Sequence, residues 1–276
     1  MMTNLLSIQE AVDNFKKLIE DSIRVGGIFA KEAMIRSSKP INQIHEAVKS
    51  SLINTGIERF RIYPPLGASS PEMMLAGFIK QKYQDVCVAP KGYIPTTEIL
   101  LDGLLLEERD HYGKLYTERV LAVNVRSQIS SLAKNFDTLY ERTIAEAQNL
   151  HVRCPKMVLG EVYMIPVHEY DKHKAPKKQV AWHGTMSPIE NYIKAFSAIN
   201  MRTGSTDSHY KYERICLLIV DFKKIVPQIY NTDEELKADG LLPARSTATI
   251  AHLNYSSFIS ELMSIYIARF PANTFN

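Results

Sequence analysis

The stretch from Thr97 to Asn149 constrains the fold more than any other part of the chain. Glu98 to Glu108 (E-I-L-L-D-G-L-L-L-E-E) is an apolar run bounded by charge, and Asp110-His-Tyr-Gly113 is a turn signal. Leu115 to Gln128 (L-Y-T-E-R-V-L-A-V-N-V-R-S-Q) is apolar, β-branched and partly alternating. Short apolar runs joined by a Gly-containing turn predict an antiparallel hairpin. A turn centred near Tyr112 sets Asp102 opposite Asn124, and side chains so opposed come within about 5 Å. Alternation along a strand then puts Asp102, Asn124 and Arg126 on one face. A helix from Ser130 or Ser131 to about Leu150 and a strand from Lys156 to Ile165 follow. A helix between two strands at this spacing predicts a crossover onto the same sheet.

Before this stretch, Leu5, Ile8, Val12, Phe15 and Ile19 recur at helical spacing behind a Ser7-x-x-Glu10 capping box, which predicts a helix over 5–25. Ile41, Ile44, Val48 and Leu52 predict a second helix, stopped at Gly56. Ser70-Pro71-Glu72 has the form of a helix start, so a third helix is expected through Met73, Met74, Phe78 and Tyr83. A short strand, Val86-Cys-Val88, precedes the hairpin. After Ile165 come a helix over 187–199, a buried strand from Glu213 to Asp221 and a closing helix from Ser256 to Phe270. The order predicts an α/β (α+β) fold with a mixed sheet flanked by helices. Residues 1–60 read as an N-terminal helical segment packed on the core, and 61–276 as the domain that carries the chemistry.

Several classes are excluded early. The chain has 276 residues, enough for a sizeable core, and a net charge of only +3. Cys87, Cys154 and Cys216 are far apart and form no C-x-x-C pair, so no zinc knuckle or disulfide framework is expected. Without an apolar run of about 18 residues, no membrane span is expected, and the first ten residues lack the pattern of a signal peptide. The phosphate-binding and dinucleotide-binding glycine motifs and the serine-hydrolase elbow are missing, so no nucleotide cofactor is expected.

Metal-assisted hydrolysis of a phosphodiester needs an acidic ligand, usually a second one, and a cation near the water or the phosphate. An Asp on one strand and (Asp/Glu)-x-Lys on the next is a compact solution, with the central residue offering only its backbone carbonyl. Asp102 and Asn124-Val125-Arg126 occupy those places in the expected hairpin. The segment V-L-A-V-N-V-R-S-Q, then Asn135-Phe136 and Arg142-Thr-x-x-Glu-Ala147, resembles XhoI-type type II restriction endonucleases of the PD-(D/E)XK class. Gly92-Tyr93-Ile-Pro95-Thr96 ahead of Asp102 is similar to that family's approach to its first Asp. The resemblance spans about residues 92–150.

The resemblance implies sequence-specific cleavage of double-stranded DNA by a cytoplasmic bacterial or archaeal homodimer. It places Mg²⁺ at Asp102 and the Val125 carbonyl, with Asn124 helping to place the metal water and Arg126 stabilising the phosphate. Asn124 stands where the family has Glu, and Arg126 where it has Lys. Asn brings an oxygen but no charge, and Arg does not readily give up a proton. Three readings follow: a working variant borrowing another acid (Glu98, Glu118 or Glu141, the last on the crossover helix), a DNA-binding relic, or an inactivating change. Candidate DNA contacts are Gln128, the basic loop with Lys172, Lys174, Lys177 and Lys178, and the polar loop with Arg202, Thr203, Ser205 and His209. A solvated loop is the alternative reading of the first loop, and a flexible connector that of the second.

Overall fold

The computed structural model describes residues 5–271, so the first four residues of the amino-terminal reading lie outside it. The chain opens with α1 (Ile8–Arg36) and α2 (Lys39–Asn54). Four short strands follow: β1 (Ile62–Tyr63), β2 (Met73–Ala76), β3 (Gln81–Gln84) and β4 (Val86–Val88). Next come β5 (Glu98–Ile99), β6 (Arg109–Asp110), α3 (Lys114–Thr117), β7 (Leu121–Ser127) and α4 (Leu132–Arg153). The second half holds β8 (Val158–Pro166), β9 (His168–Tyr170), β10 (Trp182–Met186), α5 (Ile189–Ala198) and β11 (Arg214–Asp221). It closes with β12 (Gln228–Tyr230), α6 (Asp233–Ala238) and α7 (Tyr255–Arg269).

Six strands form one mixed sheet in the order β1-β4-β7-β8-β11-β12. β7, β8 and β11 are mutually parallel, and β4 and β12 flank them antiparallel. The crossover expected between β7 and β8 is present as α4. All nine residues of β8 are buried, as a strand covered on both faces requires. One face packs Val123, Val125, Val158, Val162 and Leu218 against α1, α2 and α7 through Phe15, Ile19, Ile44, Val48 and Leu262. The other packs Ala122, Leu159, Tyr163, Ile165 and Leu217 against Leu150 of α4 and Ile193 and Phe196 of α5. At Gly27 φ is +65°, α1 kinks, and a Cβ there would lie 2.8 Å from the Ala175 carbonyl.

Two expectations are corrected. The helix through Met73 and Tyr83 is a β-hairpin, with β2 pairing β3 from Met73↔Gln84 to Ala76↔Gln81. Asn149 of α4 imposes this turn: its Oδ1 accepts from the Ile79 and Lys80 amides at 2.7 and 3.0 Å, and its carbonyl accepts from Phe78 N–H at 2.7 Å. Gly77 permits the approach, because a Cβ there would meet the Asn149 side chain at 2.3 Å.

The second correction concerns the central hairpin. The chain turns back inside its first run, pairing Glu98↔Asp110 and Ile99↔Arg109, and Leu101, Leu104 and Leu106 of the intervening loop are exposed. β7 takes β4 as its antiparallel neighbour instead. Leu121 to Val125 are all buried, and each full burial of a Val or Leu is worth about 1.5–3 kcal/mol. An interior place between β4 and β8 secures that burial, and an outlying two-stranded ribbon does not.

Candidate phosphodiester-binding site

The β4–β7 ladder fixes the site. Its register runs Val88↔Leu121, Cys87↔Ala122 and Val86↔Val123, so one step further Asp85 faces Asn124. The Asp85 carboxylate accepts a hydrogen bond from the Val125 N–H at 2.8 Å. Asp85 therefore occupies the position that the sequence assigned to Asp102. Asp102 itself is exposed and begins a turn at residues 103–105. It lines a separate cleft with Glu98 and Arg153. Arg153 lies seven residues beyond Glu146 on α4, roughly 10 Å along the axis. Asp102 does not join Asn124 or Val125, and the metal and catalytic roles expected of it lack a geometric basis.

Asn124 and Arg126 share one face of β7, as alternation requires. The parallel register sets Glu161 of β8 beside Asn124 and Tyr163 beside Arg126. α4 covers this face and lowers Thr143 and Glu146 onto it. Arg126 reaches Glu161 with its Nε at 3.3 Å and Glu146 with one Nη, while the other Nη donates to the Thr143 hydroxyl at 3.0 Å. Thr143 is fixed in turn by donating to the Leu139 carbonyl. Lys82 of β3 approaches Glu146 from the hairpin side, with Nζ 2.6 Å from a carboxylate oxygen. Asp85, Lys82, Arg126 and Arg142 line a cleft of about 410 Å³ open to solvent.

Burial governs the electrostatics. Glu161 is fully buried, and desolvation pushes its carboxyl above the usual range although Arg126 pulls the other way. Desolvation, then repulsion from Arg126, brings the Lys82 ammonium down to about 8. His45 of α2 faces Asp85, and burial lowers its pKa; its Nε2 is buried without a hydrogen-bond partner.

The remaining expected residues are dispersed. Glu141 is exposed on α4, and Glu146, further along that helix, is the acid that meets Arg126. Gln128 is buried and tied inward: its Oε1 accepts from the Tyr163 and Tyr192 hydroxyls at 2.9 and 2.6 Å, and its Nε2 donates to the Ser131 and Leu132 carbonyls. It cannot reach DNA. Arg202 is fully buried in an ion pair with Glu213 at 2.6 Å and donates to the Pro155 and Ser205 carbonyls, which removes it from any DNA surface. Thr203 is exposed, but its N–H and hydroxyl donate to Asp207 within a closed turn. Ser205 is half-buried, and the half-buried His209 offers its carbonyl to the His151 ring. Lys172, Lys174, Lys177 and Lys178 are exposed, and Lys172 reaches the Ser131 hydroxyl at the start of α4.

The oxygens a hard cation would draw on here are those of Asp85, of Glu161 beside Asn124, of the Asn124 amide and of the Val125 carbonyl, against which the His45 ring lies. Asn124 lies against Glu161 and Tyr212, yet neither its Oδ1 nor its Nδ2 completes a hydrogen bond of good geometry. A buried amide oxygen without a donor is a position that a cation satisfies. Among the described residues no three His, Cys, Asp or Glu side chains gather closely enough to hold a metal by themselves. Sequence reasoning missed Asp85, Lys82, Glu146 and Glu161. Asp85 carried one signal, an acid directly before a short apolar strand.

Comparison of the chain with known families, curated proteins and solved structures finds no match. Among the described residues no helix is long and apolar enough to cross a membrane.

Proposed function

We propose that this chain is a nuclease that hydrolyses phosphodiesters of double-stranded DNA with Mg²⁺, and that Asp85 rather than Asp102 is its leading acid. One observation carries the reading: the Asp85 carboxylate is bonded to the Val125 amide and faces Asn124 across the ladder, with Arg126 two residues on. This is the relation that the Asp and (Asp/Glu)-x-Lys chemistry demands, on different residues from those first assigned.

Asp85, Asn124 and Glu161 would hold the ion together with the Val125 carbonyl. The ion would polarise the phosphate and acidify a bound water. Arg126 holds Glu146 and Glu161 in place, and cleft cations attract the DNA backbone. Two strands cut at a near-palindrome imply two such sites related by a twofold axis, hence a homodimer.

The test is incubation with mixed-sequence duplex DNA, with Mg²⁺ and with EDTA. Discrete fragments formed only with Mg²⁺, and lost in Asp85→Asn, are the expected result. A second reading, a DNA-binding protein with a silent core, draws on the uncharged Asn124 and on Arg126 being engaged by two glutamates. Salt-sensitive DNA binding without cleavage would select it, and neither binding nor cleavage would retire both.

A further inference from the structure

Arg126 is the cation that the chain order puts beside the reacting phosphate, and the fold engages it elsewhere. Each of its three nitrogens has a protein partner: Nε on Glu161, one Nη on Glu146 and the other on the Thr143 hydroxyl. These partners lie on β8 and α4, so the guanidinium works as a tie between layers. Turning it toward a phosphate would give up all three contacts at once, two of them to buried carboxylates.

Lys82 differs in each respect. Its ammonium carries three donors, and Glu146 takes one of them. It lines the same cleft as Asp85, with about a quarter of its side chain exposed. It also stands on a fixed element. Lys82 pairs with Leu75 across the hairpin, and Asn149 clamps the turn at Ile79 and Lys80. Beyond the desolvation that does most to lower its pKa, Lys82 is repelled by the nearby charges of Arg126 and Arg142. An incoming anion relieves that repulsion.

We propose that the Lys82 ammonium is the cation this site presents to DNA, in direct contact with a non-bridging oxygen of the scissile phosphate. The inference rests on the nuclease reading above and names the residue that does what the Arg126 position cannot. Glu146 then acts as the hinge of the arrangement: one oxygen steadies Arg126, and the other holds Lys82 at the cleft.

The experiment compares the full-length wild type with Lys82→Met and Lys82→Arg, using mixed-sequence duplex DNA and Mg²⁺. Single-turnover cleavage should fall about 100-fold or more in Lys82→Met, the usual loss when one electrostatic stabiliser of a transition state is removed. Lys82→Arg, which keeps a cation and tests against simple misfolding, should recover at least tenfold of that loss. DNA binding is measured in parallel against salt in the Asp85→Asn background. There Lys82→Met should lower the slope of log K against log salt by about one, because one phosphate contact is lost. Wild-type cleavage with an unimpaired Lys82→Met would overturn the assignment and leave the nuclease reading standing. A slowed Lys82→Met with an unchanged salt slope would also overturn it, since Lys82 would then act through Glu146 alone. A wild type that cuts no DNA removes the nuclease reading and this inference with it.

Discussion

Replacing Glu213 with Gln should destabilise the protein more than any change in the cleft. Glu213 is fully buried at the start of β11, where four donors converge on it. Arg202 and Arg269 reach one oxygen at 2.6 and 2.7 Å. The Leu159 N–H and the His151 ring reach the other at 2.9 and 3.3 Å. Burial by itself raises this carboxyl, but the His151 hydrogen bond and the charges of Arg269 and Arg202 outweigh it and bring it down to about 2, from 4.5. The gap corresponds to about 3 kcal/mol of folding free energy. The sign is that of a depressed acid: the stabilisation is complete above about pH 4.5 and is lost as pH falls toward 2.

A Gln side chain must aim its NH₂ either at the Leu159 amide or at two guanidinium groups, and it leaves Arg202 buried without a counter-charge. Removing one partner of a buried pair costs about 3–5 kcal/mol. With an unfolding entropy of roughly 2.1 cal/mol/K per residue, the 276-residue chain should melt about 5–9 °C lower. Thermal melts followed by circular dichroism at pH 7 and pH 3 are the assay. At pH 3 the wild type has itself lost about 2 kcal/mol of the Glu213 contribution, so the difference between the two proteins must narrow. A drop under 2 °C at pH 7, or a difference that stays constant down to pH 3, would refute the reasoning.

Gln128→Leu removes the acceptor of the Tyr163 and Tyr192 hydroxyls and should destabilise by about 2–4 kcal/mol in urea unfolding, without altering the salt dependence of DNA binding. Asp102→Ala should cleave DNA within about twofold of wild type, while Asp85→Asn should lose about 10²-fold or more; the reverse ranking in a plasmid assay would restore the original assignment. Cleavage should decline above about pH 8 as Lys82 loses its proton in the company of Arg126, Asp85, Glu161, Arg142 and Glu146, and a pH–rate profile flat to pH 9.5 would contradict this. Through the same group folding stability should rise between about pH 8 and 10.5, because the unfolded lysine binds the proton more tightly than the folded one.

The amino-acid order by itself determined those elements whose signal is local. The apolar stripe that predicts α2 needs only a 3.6-residue period, and α2, α4, α5 and α7 all appear within a few residues of their expected bounds. β11 declares itself as an unbroken apolar run, the mark of a strand covered on both faces, and β8 as an apolar run interrupted at Gly160 and Glu161. The crossover of α4 followed from spacing, and the common face of Asn124 and Arg126 from the two-residue period of β7.

Only the tertiary structure decided which strand lies beside β7. Apolar runs carry no address, so Leu100 to Leu106 looked as suitable a partner as Val86 to Val88. The choice was made by burial on both faces, summed over strands far apart in the chain, and it moved the acid of the site from Asp102 to Asp85. The same summation turned Gln128 and Arg202 inward and brought Lys82, Glu146 and Glu161 around Arg126. Polar residues of this kind read as surface in a sequence. Inside, they are stable only because partners from other elements satisfy them, and those partners exist only once the layers have closed.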